Sequence, residues 1–214
     1  ELGPGRGTLM ADVLRATRAV PGFQSAMRLH LVEASPTLRA AQRHRLGAYN
    51  PEWHDDVATL PSLTLFLLAN EFFDALPVRQ FQRSGDGWRE TVVGLQDGRL
   101  SPGRAEIAHH AALAHRIDDT TDGDIVETCA PARAVAAQIG TTIARHGGAA
   151  IIVDYGDWRS LGDTLQALLN HQPTDPFAEP GEADLTAHVD FEALAKAATP
   201  AMHSRLSTQG VLLE

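Results

Sequence analysis

The sequence predicts an α/β fold with a doubly wound, mainly parallel sheet, and three observations lead to this prediction. Apolar runs of strand length occur at residues 27–32, 63–69 and 149–153, as expected for strands buried on both faces. Segments with the apolar spacing of helices separate these runs, and this alternation is typical of parallel sheets. A glycine-rich turn at residues 1–7 leads directly into the first helical segment.

The chain opens with ELGPGRG, in which Gly3, Gly5 and Gly7 stand at alternate positions. The amphipathic segment 8–20 follows at once, so the pattern predicts a tight strand-to-helix turn whose inner surface lacks side chains. Free N–H groups and the positive end of the helix dipole favour an anionic or polar ligand there, most often a nucleotide or nucleoside cofactor. A turn with only a structural role is the alternative interpretation.

The glycine spacing indicates which cofactor the turn holds. A dinucleotide fingerprint, G-x-G-x-x-G, would need a glycine at position 8, where the chain has Thr8. The third glycine is instead Gly7, and an acid, Glu1, stands ahead of the turn. This arrangement looks like the first motif of Rossmann-like S-adenosylmethionine (SAM) methyltransferases. The likeness implies that SAM lies over the three glycines with its methionine end near Glu1.

The second predicted strand, within residues 27–35, carries an acid at its carboxyl end. Glu33 occupies that position, and Ser35 and Pro36 follow as the cap and first residue of a helix that ends at Leu46. In nucleotide-binding α/β folds a carboxylate at such a strand end accepts hydrogen bonds from both ribose hydroxyls. We therefore expect Glu33 to bind the ribose, the alternative being a surface acid at a strand end.

A polar loop is predicted at residues 49–56, after this helix. An acid in such a loop often meets the adenine amino group of a bound nucleoside. Asp55 and Asp56 are both candidates for this contact, and a solvated loop acid is an equally good interpretation of either.

Polar residues follow the third apolar run directly. Asn70, Glu71 and Asp74 come after residues 63–69, and ligands of open parallel sheets lie beyond the carboxyl ends of the strands. Two carboxylates with the aromatic pair 72–73 between them suit a cationic nitrogen, because the acids supply charge and the rings exclude water. The alternative is a helix start capped by Asn70, with the aromatic rings in the core.

The middle of the chain departs from the α/β alternation. Alternating strands with glycine-containing turns predict an antiparallel hairpin at Val78 to Leu95. The polar, His-rich stretch from Ser101 to Asp124 is interpreted as a solvent-facing helix. No metal site is predicted there, because no cysteine or acid completes a ligand set at metal spacing.

The last third returns to helix and strand patterns. A helix with an apolar stripe after Pro131 leads to the strand at 149–153, and Asp190 is expected to cap a helix at 191–198. His188 has Asp184 and Asp190 near it in sequence, which suits acid–base chemistry or a substrate clamp. A polar loop without a catalytic role is an equally good interpretation.

Composition excludes several function classes. The formal charge of −9 and the absence of a basic run argue against nucleic acid or an anionic membrane as a partner. The single cysteine excludes a disulfide framework and suits a reducing compartment. No apolar run approaches the roughly 18 to 20 residues that span a bilayer. We expect one domain over 1–214, with an insertion at about 78–124, and continuation of the chain beyond both ends, because little of the first strand precedes Gly3.

Several strings, taken in order, carry a family resemblance: ELGPGRGTL, HLVEASP, NEFFDALPVRQF, GWRE, VDYG, GDTLQAL and PGEADLTAHVDF. Together they resemble the MidA-like family of SAM-dependent methyltransferases. Mitochondrial members of that family methylate an arginine on a respiratory complex I subunit and assist its assembly. The resemblance implies the class I methyltransferase fold, SAM as cofactor and a protein substrate with a target arginine. It also implies a cytoplasmic location in a bacterium, or the mitochondrial matrix in a eukaryote.

Arginine methylation would need a carboxylate beside the guanidinium, whose delocalised lone pairs make it a poor nucleophile. A bidentate carboxylate fixes the guanidinium plane and localises its charge away from the attacking nitrogen. Glu71 is the candidate for this role, with Asp74 in support and Asn70 on the cofactor side. A small amine or hydroxyl substrate would instead call for a general base such as His188, and a catalytically silent assembly module is a further alternative.

Overall fold

The computed structural model describes all 214 residues. The strands are β1 (His30–Val32), β2 (Glu52–His54), β3 (Leu65–Asn70), β4 (Arg79–Ser84), β5 (Gly87–Gln96), β6 (Arg99–Arg104), β7 (Ile125–Thr128), β8 (Gly148–Val153), β9 (Gly156–Asp157), β10 (Gln166–Leu169), β11 (Gln172–Thr174), β12 (Asp184–Thr186) and β13 (Val189–Asp190). The α-helices are α1 (Thr8–Ala16), α2 (Phe23–Ala26), α3 (Pro36–Leu46), α4 (Ala130–His146), α5 (Phe191–Ala197) and α6 (Gln209–Leu213). Short 3₁₀ turns lie at Thr17–Ala19, Gly47–Tyr49, Val57–Thr59 and Ala111–Arg116.

The chain forms two compact units, and each is built from separate stretches of sequence. The first unit comprises Glu1–Phe72, Val135–Asp154 and Ala197–Glu214. The second comprises Phe73–Ala134 and Tyr155–Lys196.

A parallel sheet forms the centre of the first unit. β1 pairs with β2 and β3 pairs with β8, both in parallel. Leu2 lies between the two pairs, where it forms parallel bridges to Val32 of β1 and Ala69 of β3. Its N–H donates to the Leu68 carbonyl at 2.9 Å. The order is therefore β2, β1, Leu2, β3, β8, and the three apolar runs share one parallel sheet as predicted.

Two helices cover one face of this sheet. Met10 and Leu14 of α1 pack with Leu46 of α3 against Leu31 of β1, and all four side chains are buried. α3 begins as its sequence predicts, because Ser35 accepts a hydrogen bond from the Leu38 N–H at 3.3 Å and a proline occupies the first turn. α1 follows the glycine turn directly, and α3 packs beside α1.

An antiparallel sheet forms the larger part of the second unit, in the order β6, β5, β4, β7. The β4–β5 hairpin confirms the prediction at Val78 to Leu95, and β6 extends it by a further strand. Its core contains Phe81, Trp88, Leu113 and Val126, each at most 3% exposed.

Smaller elements complete the second unit. β10 pairs with β11 and β12, and β13 pairs in parallel with β9. The predicted cap of the last helix is confirmed, since the Asp190 carboxylate accepts a hydrogen bond from the Ala193 N–H at 2.8 Å at the start of α5. No helix combines the length and the apolar character needed to cross a bilayer.

Two predictions of local structure were wrong. Residues 101–124 are not a helix, because the first four continue β6 against β5 and only the 3₁₀ turn Ala111–Arg116 is helical. Pro102 and Gly103 oppose a helix here, and pairing with a neighbouring strand satisfies their backbone. Residues 49–56 are not wholly a loop, because β2 adds to the edge of the sheet. Such a three-residue strand is too short to give a periodic signal.

Candidate functional site

The three glycines of the opening turn all have the left-handed conformation, at φ 54°, 54° and 75° for Gly3, Gly5 and Gly7. A Cβ atom at Gly3 would lie 3.0 Å from the Phe72 ring, and one at Gly7 would lie 3.0 Å from Leu46. A Cβ at Gly5 would meet nothing within 4 Å. Gly3 and Gly7 thus permit close packing, whereas Gly5 faces open space. Gly7 also caps the amino end of α1.

Glu1 stands beside this turn with part of its carboxylate buried. Its backbone joins the sheet, because its carbonyl accepts a hydrogen bond from the Val32 N–H at 2.9 Å. Its Oε2 atom is buried and has no hydrogen-bond partner within the protein. Burial raises the pKa of this carboxyl group above its ordinary value. An unpaired buried acceptor is costly, so this oxygen has capacity for a donor from a ligand.

Glu33 lies where the sequence predicts, directly beyond β1, and is 9% exposed. One carboxylate oxygen accepts from the Ser35 N–H at 2.9 Å and the other from Gln42 Nε2 at 3.2 Å. A carboxylate offers about four acceptor positions. Two acceptor positions of Glu33 therefore remain for a ligand, and its orientation is fixed.

Gln42 is a residue that the sequence analysis missed. Its side chain is fully buried, and Nε2 donates to the Gly5 carbonyl at 2.7 Å as well as to Glu33. Its Oε1 accepts from Trp53 Nε1 at 2.8 Å. Through both ends of its amide, this buried glutamine links α3 to the glycine turn, to Glu33 beyond β1 and to Trp53 in β2. The sequence contained one signal for this residue. Gln42 stands four positions before Leu46 on the helix, so it shares the face that packs in the core.

The two aspartates after β2 have different roles. Asp55 forms an ion pair with Arg39 at 2.6 Å, and Arg39 Nε also donates to the Glu33 carbonyl at 2.6 Å. Asp56 caps the following 3₁₀ turn by accepting from the Ala58 N–H at 2.8 Å. Only Asp55 is thus connected to the strand end that carries Glu33.

Asn70 and Glu71 lie at the carboxyl end of β3 and are exposed. Glu71 has a left-handed backbone at φ 49°, and its N–H donates to the Val153 carbonyl at 2.9 Å. No helix begins at Asn70, so the alternative of a helix start is wrong. A left-handed glutamate is strained, and such strain is concentrated at functional sites.

Parallel strands bring their carboxyl ends to one edge of a sheet. In the first unit this edge contains the glycine turn, the acid after β1 and the polar pair after β3. Predicted site residues from three separate stretches of sequence are therefore on one edge, with Glu1 in the strand position that precedes the turn.

Asp74 and His188 belong to the second unit. Asp74 is buried, and its carbonyl accepts from the Ala187 N–H at 3.0 Å. His188 is exposed, and its N–H donates to the Thr164 hydroxyl at 2.8 Å. His188 also lines a cavity of about 320 Å³.

The same cavity is lined by Cys129 and Asp190. Burial raises the pKa of the Cys129 thiol, so the thiol stays protonated near neutral pH and is a poor nucleophile. Asp190 caps α5 and lies 3.5 Å from Arg116 Nη1, while burial raises its pKa. Asp184, the other acid near His188 in sequence, is exposed on β12.

A known protein family matches almost the whole chain. Residues 1–210 match the model of a protein family described as "Putative S-adenosyl-L-methionine-dependent methyltransferase". The chain belongs to this family. The MidA-like resemblance and the class I methyltransferase fold are thereby confirmed.

Curated relatives support membership of this methyltransferase family. The protein named "Protein arginine methyltransferase NDUFAF7, mitochondrial" is 35% identical over 223 residues in Danio rerio, covering 92% of this chain and 53% of that protein. The Homo sapiens protein of the same name is 35% identical over 225 residues, covering 92% of this chain and 51% of that protein. The chain spans about half the length of the curated relatives it matches.

Solved structures of the family have the same fold. A COG1565 superfamily member from Burkholderia thailandensis, crystallised with S-adenosyl-homocysteine, is 31% identical with a TM-score of 0.73. The match covers 92% of this chain and 54% of that one. A native crystal structure from the same organism has a TM-score of 0.74 at 30% identity, with 92% and 55% covered.

Proposed function

We propose that this protein binds SAM at the glycine turn and transfers its methyl group to the guanidinium of a protein arginine. The observation that carries the proposal is the polar edge of the parallel sheet. There, a turn of three left-handed glycines lies between Glu1, whose buried carboxylate oxygen is unpaired, and the ordered carboxylate of Glu33. The family membership and the names of the relatives support the same function.

The residues of this edge fit an adenosyl cofactor. A side chain at position 5 would project into the space over the turn, and Gly5 leaves that space open. The amino end of α1 faces the same space. Glu33 retains acceptor positions for two ribose hydroxyls, and Glu1 can accept a hydrogen bond from an ammonium group. We assign Asp55 to the adenine side, because Arg39 links it to the same strand end.

SAM supplies an electrophilic methyl group on a sulfonium. Asn70 is assigned to the cofactor side of the site, next to the strand end. Glu71 is assigned to hold the substrate guanidinium in a bidentate pair. The pair fixes the plane of the guanidinium and keeps the guanidinium charge away from the attacking nitrogen. Its strained backbone supports this assignment. Asp74 belongs to the second unit, and its supporting role stays a prediction from the sequence.

The mitochondrial relatives suggest a compartment and a partner. Their names indicate a protein substrate, and we propose the same class of substrate here. We expect the mitochondrial matrix if the chain comes from a eukaryote and the cytoplasm if it comes from a bacterium.

Two measurements, made one after the other, test the proposed function. The first tests the cofactor and the second tests the substrate. Calorimetry with S-adenosyl-homocysteine and with NADH tests the cofactor, and we expect only the first to bind. Glu33→Ala should weaken that binding by roughly 1.5 to 3 kcal/mol, as for lost hydrogen bonds to a charged acceptor. Asp12→Ala, which removes an exposed acid of α1, should have no effect. Binding of NADH alone would refute the assignment.

The substrate is tested by incubating the protein with candidate partner proteins and isotope-labelled SAM, followed by mass spectrometry. The expected result is label on an arginine side chain. Label on a lysine or on a small amine would contradict the arginine assignment while leaving the cofactor assignment intact.

A further inference from the structure

Three potential metal ligands lie on one face of the β1–β2 pair of the first unit. In the parallel β1–β2 pair, His30 is opposite Glu52, and His54 follows Glu52 by two residues. Side chains two residues apart on a strand point to the same face. The register therefore brings the His30 imidazole to the carboxylate and imidazole of Glu52 and His54, which lie more than twenty residues further along the chain. They lie within the first unit, and none belongs to the proposed cofactor site.

The ligand atoms are close enough to share one cation. Nδ1 of His30 lies 3.0 Å from Nε2 of His54 and 3.9 Å from Oε2 of Glu52. All three atoms lie within 4.8 Å of one another. Ligands of a tetrahedral zinc ion are separated by about 3.3 Å, given bonds of about 2.0–2.2 Å. The Glu52 side chain is 69% exposed and can rotate to close the remaining gap.

Hydrogen bonds already orient the His54 ring for coordination. The Thr59 hydroxyl donates its proton to the Asp56 carbonyl at 2.8 Å. Thr59 Oγ1 must therefore accept from Nδ1 of His54, which lies 2.9 Å away. This leaves the lone pair of His54 Nε2 directed at His30. Outer hydrogen bonds of this kind fix the tautomer and the ring orientation of metal-binding histidines.

The His30 ring also points its available nitrogen at the cluster. Its Nε2 atom is buried and has no hydrogen-bond partner, so its polar contacts are made through Nδ1. Without a cation, a single proton must lie between the two facing nitrogens. A cation in place of that proton would accept lone pairs from both rings.

We propose that His30, His54 and Glu52 bind a divalent cation of the zinc class, with water as the fourth ligand. Two imidazoles and one carboxylate suit Zn²⁺ or Co²⁺ rather than Mg²⁺ or Ca²⁺, which prefer oxygen ligands. The bound cation joins the edge strand β2 to β1. The sequence pattern gave no metal spacing here, because the register of two strands forms the cluster.

Titration with Zn²⁺, followed by calorimetry, tests the site on the intact chain. Wild type should bind one equivalent, and Co²⁺ should give the visible absorption of a tetrahedral ion. His54→Gln should abolish both signals. Glu52→Gln changes an exposed side chain without altering its size, and it should weaken Zn²⁺ binding. This variant therefore tests the site even if His54→Gln folds poorly. His44→Gln, at an exposed position on α3, should match wild type.

The outer hydrogen bond gives a more discriminating test. Thr59→Val keeps the size of an exposed side chain and removes the acceptor for His54 Nδ1, so Zn²⁺ affinity should fall about tenfold to a hundredfold. The proposal is overturned if wild type binds no Zn²⁺. It is equally overturned if His54→Gln retains the one-equivalent binding, which would point to surface histidines elsewhere.

Discussion

The Nε2 atom of Gln42 lies 2.7 Å from the carbonyl oxygen of Gly5, so a side chain from α3 holds the open glycine of the turn. The same nitrogen lies 3.2 Å from the Glu33 carboxylate. One buried amide thus sets the distance between the turn and the acid after β1, the two features proposed to hold opposite parts of one cofactor. The site's geometry therefore depends on a residue that need not touch the ligand.

Replacing Gln42 with leucine should destabilise the protein and weaken its cofactor site. The substitution leaves the Trp53 N–H and the Gly5 carbonyl without their partners, and each such buried group costs about 1–3 kcal/mol. Urea unfolding measures the stability, and calorimetry with S-adenosyl-homocysteine measures the affinity. Gln138→Leu, at an exposed position on α4, serves as the control. Equal effects of the two changes would contradict the role of Gln42.

Gly5→Asp should abolish cofactor binding while leaving the fold intact. A Cβ at Gly5 meets nothing within 4 Å, so the cost to the fold is mainly the left-handed backbone, about 1–2 kcal/mol. Gly98→Asp is a matched control, because Gly98 also has a positive φ and open surroundings, in the β5–β6 turn. Circular dichroism checks the fold of both variants, and calorimetry compares their binding.

The Gly5→Asp and Gly98→Asp variants also distinguish an enzyme from a catalytically silent assembly module. For an enzyme, Gly5→Asp removes methyl transfer and Gly98→Asp does not. Partner capture that survives Gly5→Asp, with no methylation in wild type, would favour the assembly role.

Glu71→Gln should lower methylation by at least about a hundredfold, as expected for the loss of one preorganised electrostatic partner. The change keeps the size and removes the charge, so binding of S-adenosyl-homocysteine should stay near wild type. His188→Ala, in the second unit, should retain activity. Rates measured with labelled SAM compare the two variants. The reverse pattern would replace the arginine assignment with base-assisted methylation of another nucleophile.

The ion pairs of Glu192 should make part of the stability depend on pH. Hydrogen bonds from Arg159 and Lys196 lower the pKa of Glu192 from 4.5 to about 2. Because this pKa is lower in the folded state, the stabilisation is present above pH 4.5 and is lost as pH falls towards 2. The magnitude should be about 1 kcal/mol or less, since both cations are partly exposed.

Unfolding free energies of wild type and Glu192→Gln, measured across this pH range, check that prediction. The difference between the two proteins should shrink as pH falls. Asp190 has the opposite sign, because burial raises its pKa in the folded state, and the Glu192 charge adds to this rise in wild type alone. Glu182→Gln, which changes an exposed acid of the same unit, should show no such trend.

Local signals were sufficient for the elements that form the polar edge of the parallel sheet. Alternating glycines predicted the turn, because glycine takes a left-handed conformation at low cost. Ser35 and Pro36 predicted the start of α3, since capping depends on residues adjacent in sequence. Continuous apolar runs predicted the strands β3 and β8, but the expectation that both faces are buried was wrong, because Phe66 is 79% exposed and Ile151 is 48% exposed.

Other features were decided by contacts between distant residues. β2 forms because β1 offers it a hydrogen-bonding edge, and residues 101–104 extend β6 because β5 does the same. The inward orientation of Gln42 depends on partners on the turn, on β1 and on β2. Hydrogen-bond partners separated by many residues leave no periodic trace in the sequence.

The sequence by itself determined the family, the parallel sheet and the side-chain types at the carboxyl ends of its strands, since these depend on composition and order along one segment. Tertiary structure alone decided which polar groups are satisfied and which face one another. The unpaired oxygen of Glu1 and the cluster of His30, Glu52 and His54 are of this kind. Both arise from the register of neighbouring strands, and register is fixed only when the sheet assembles and buries one face.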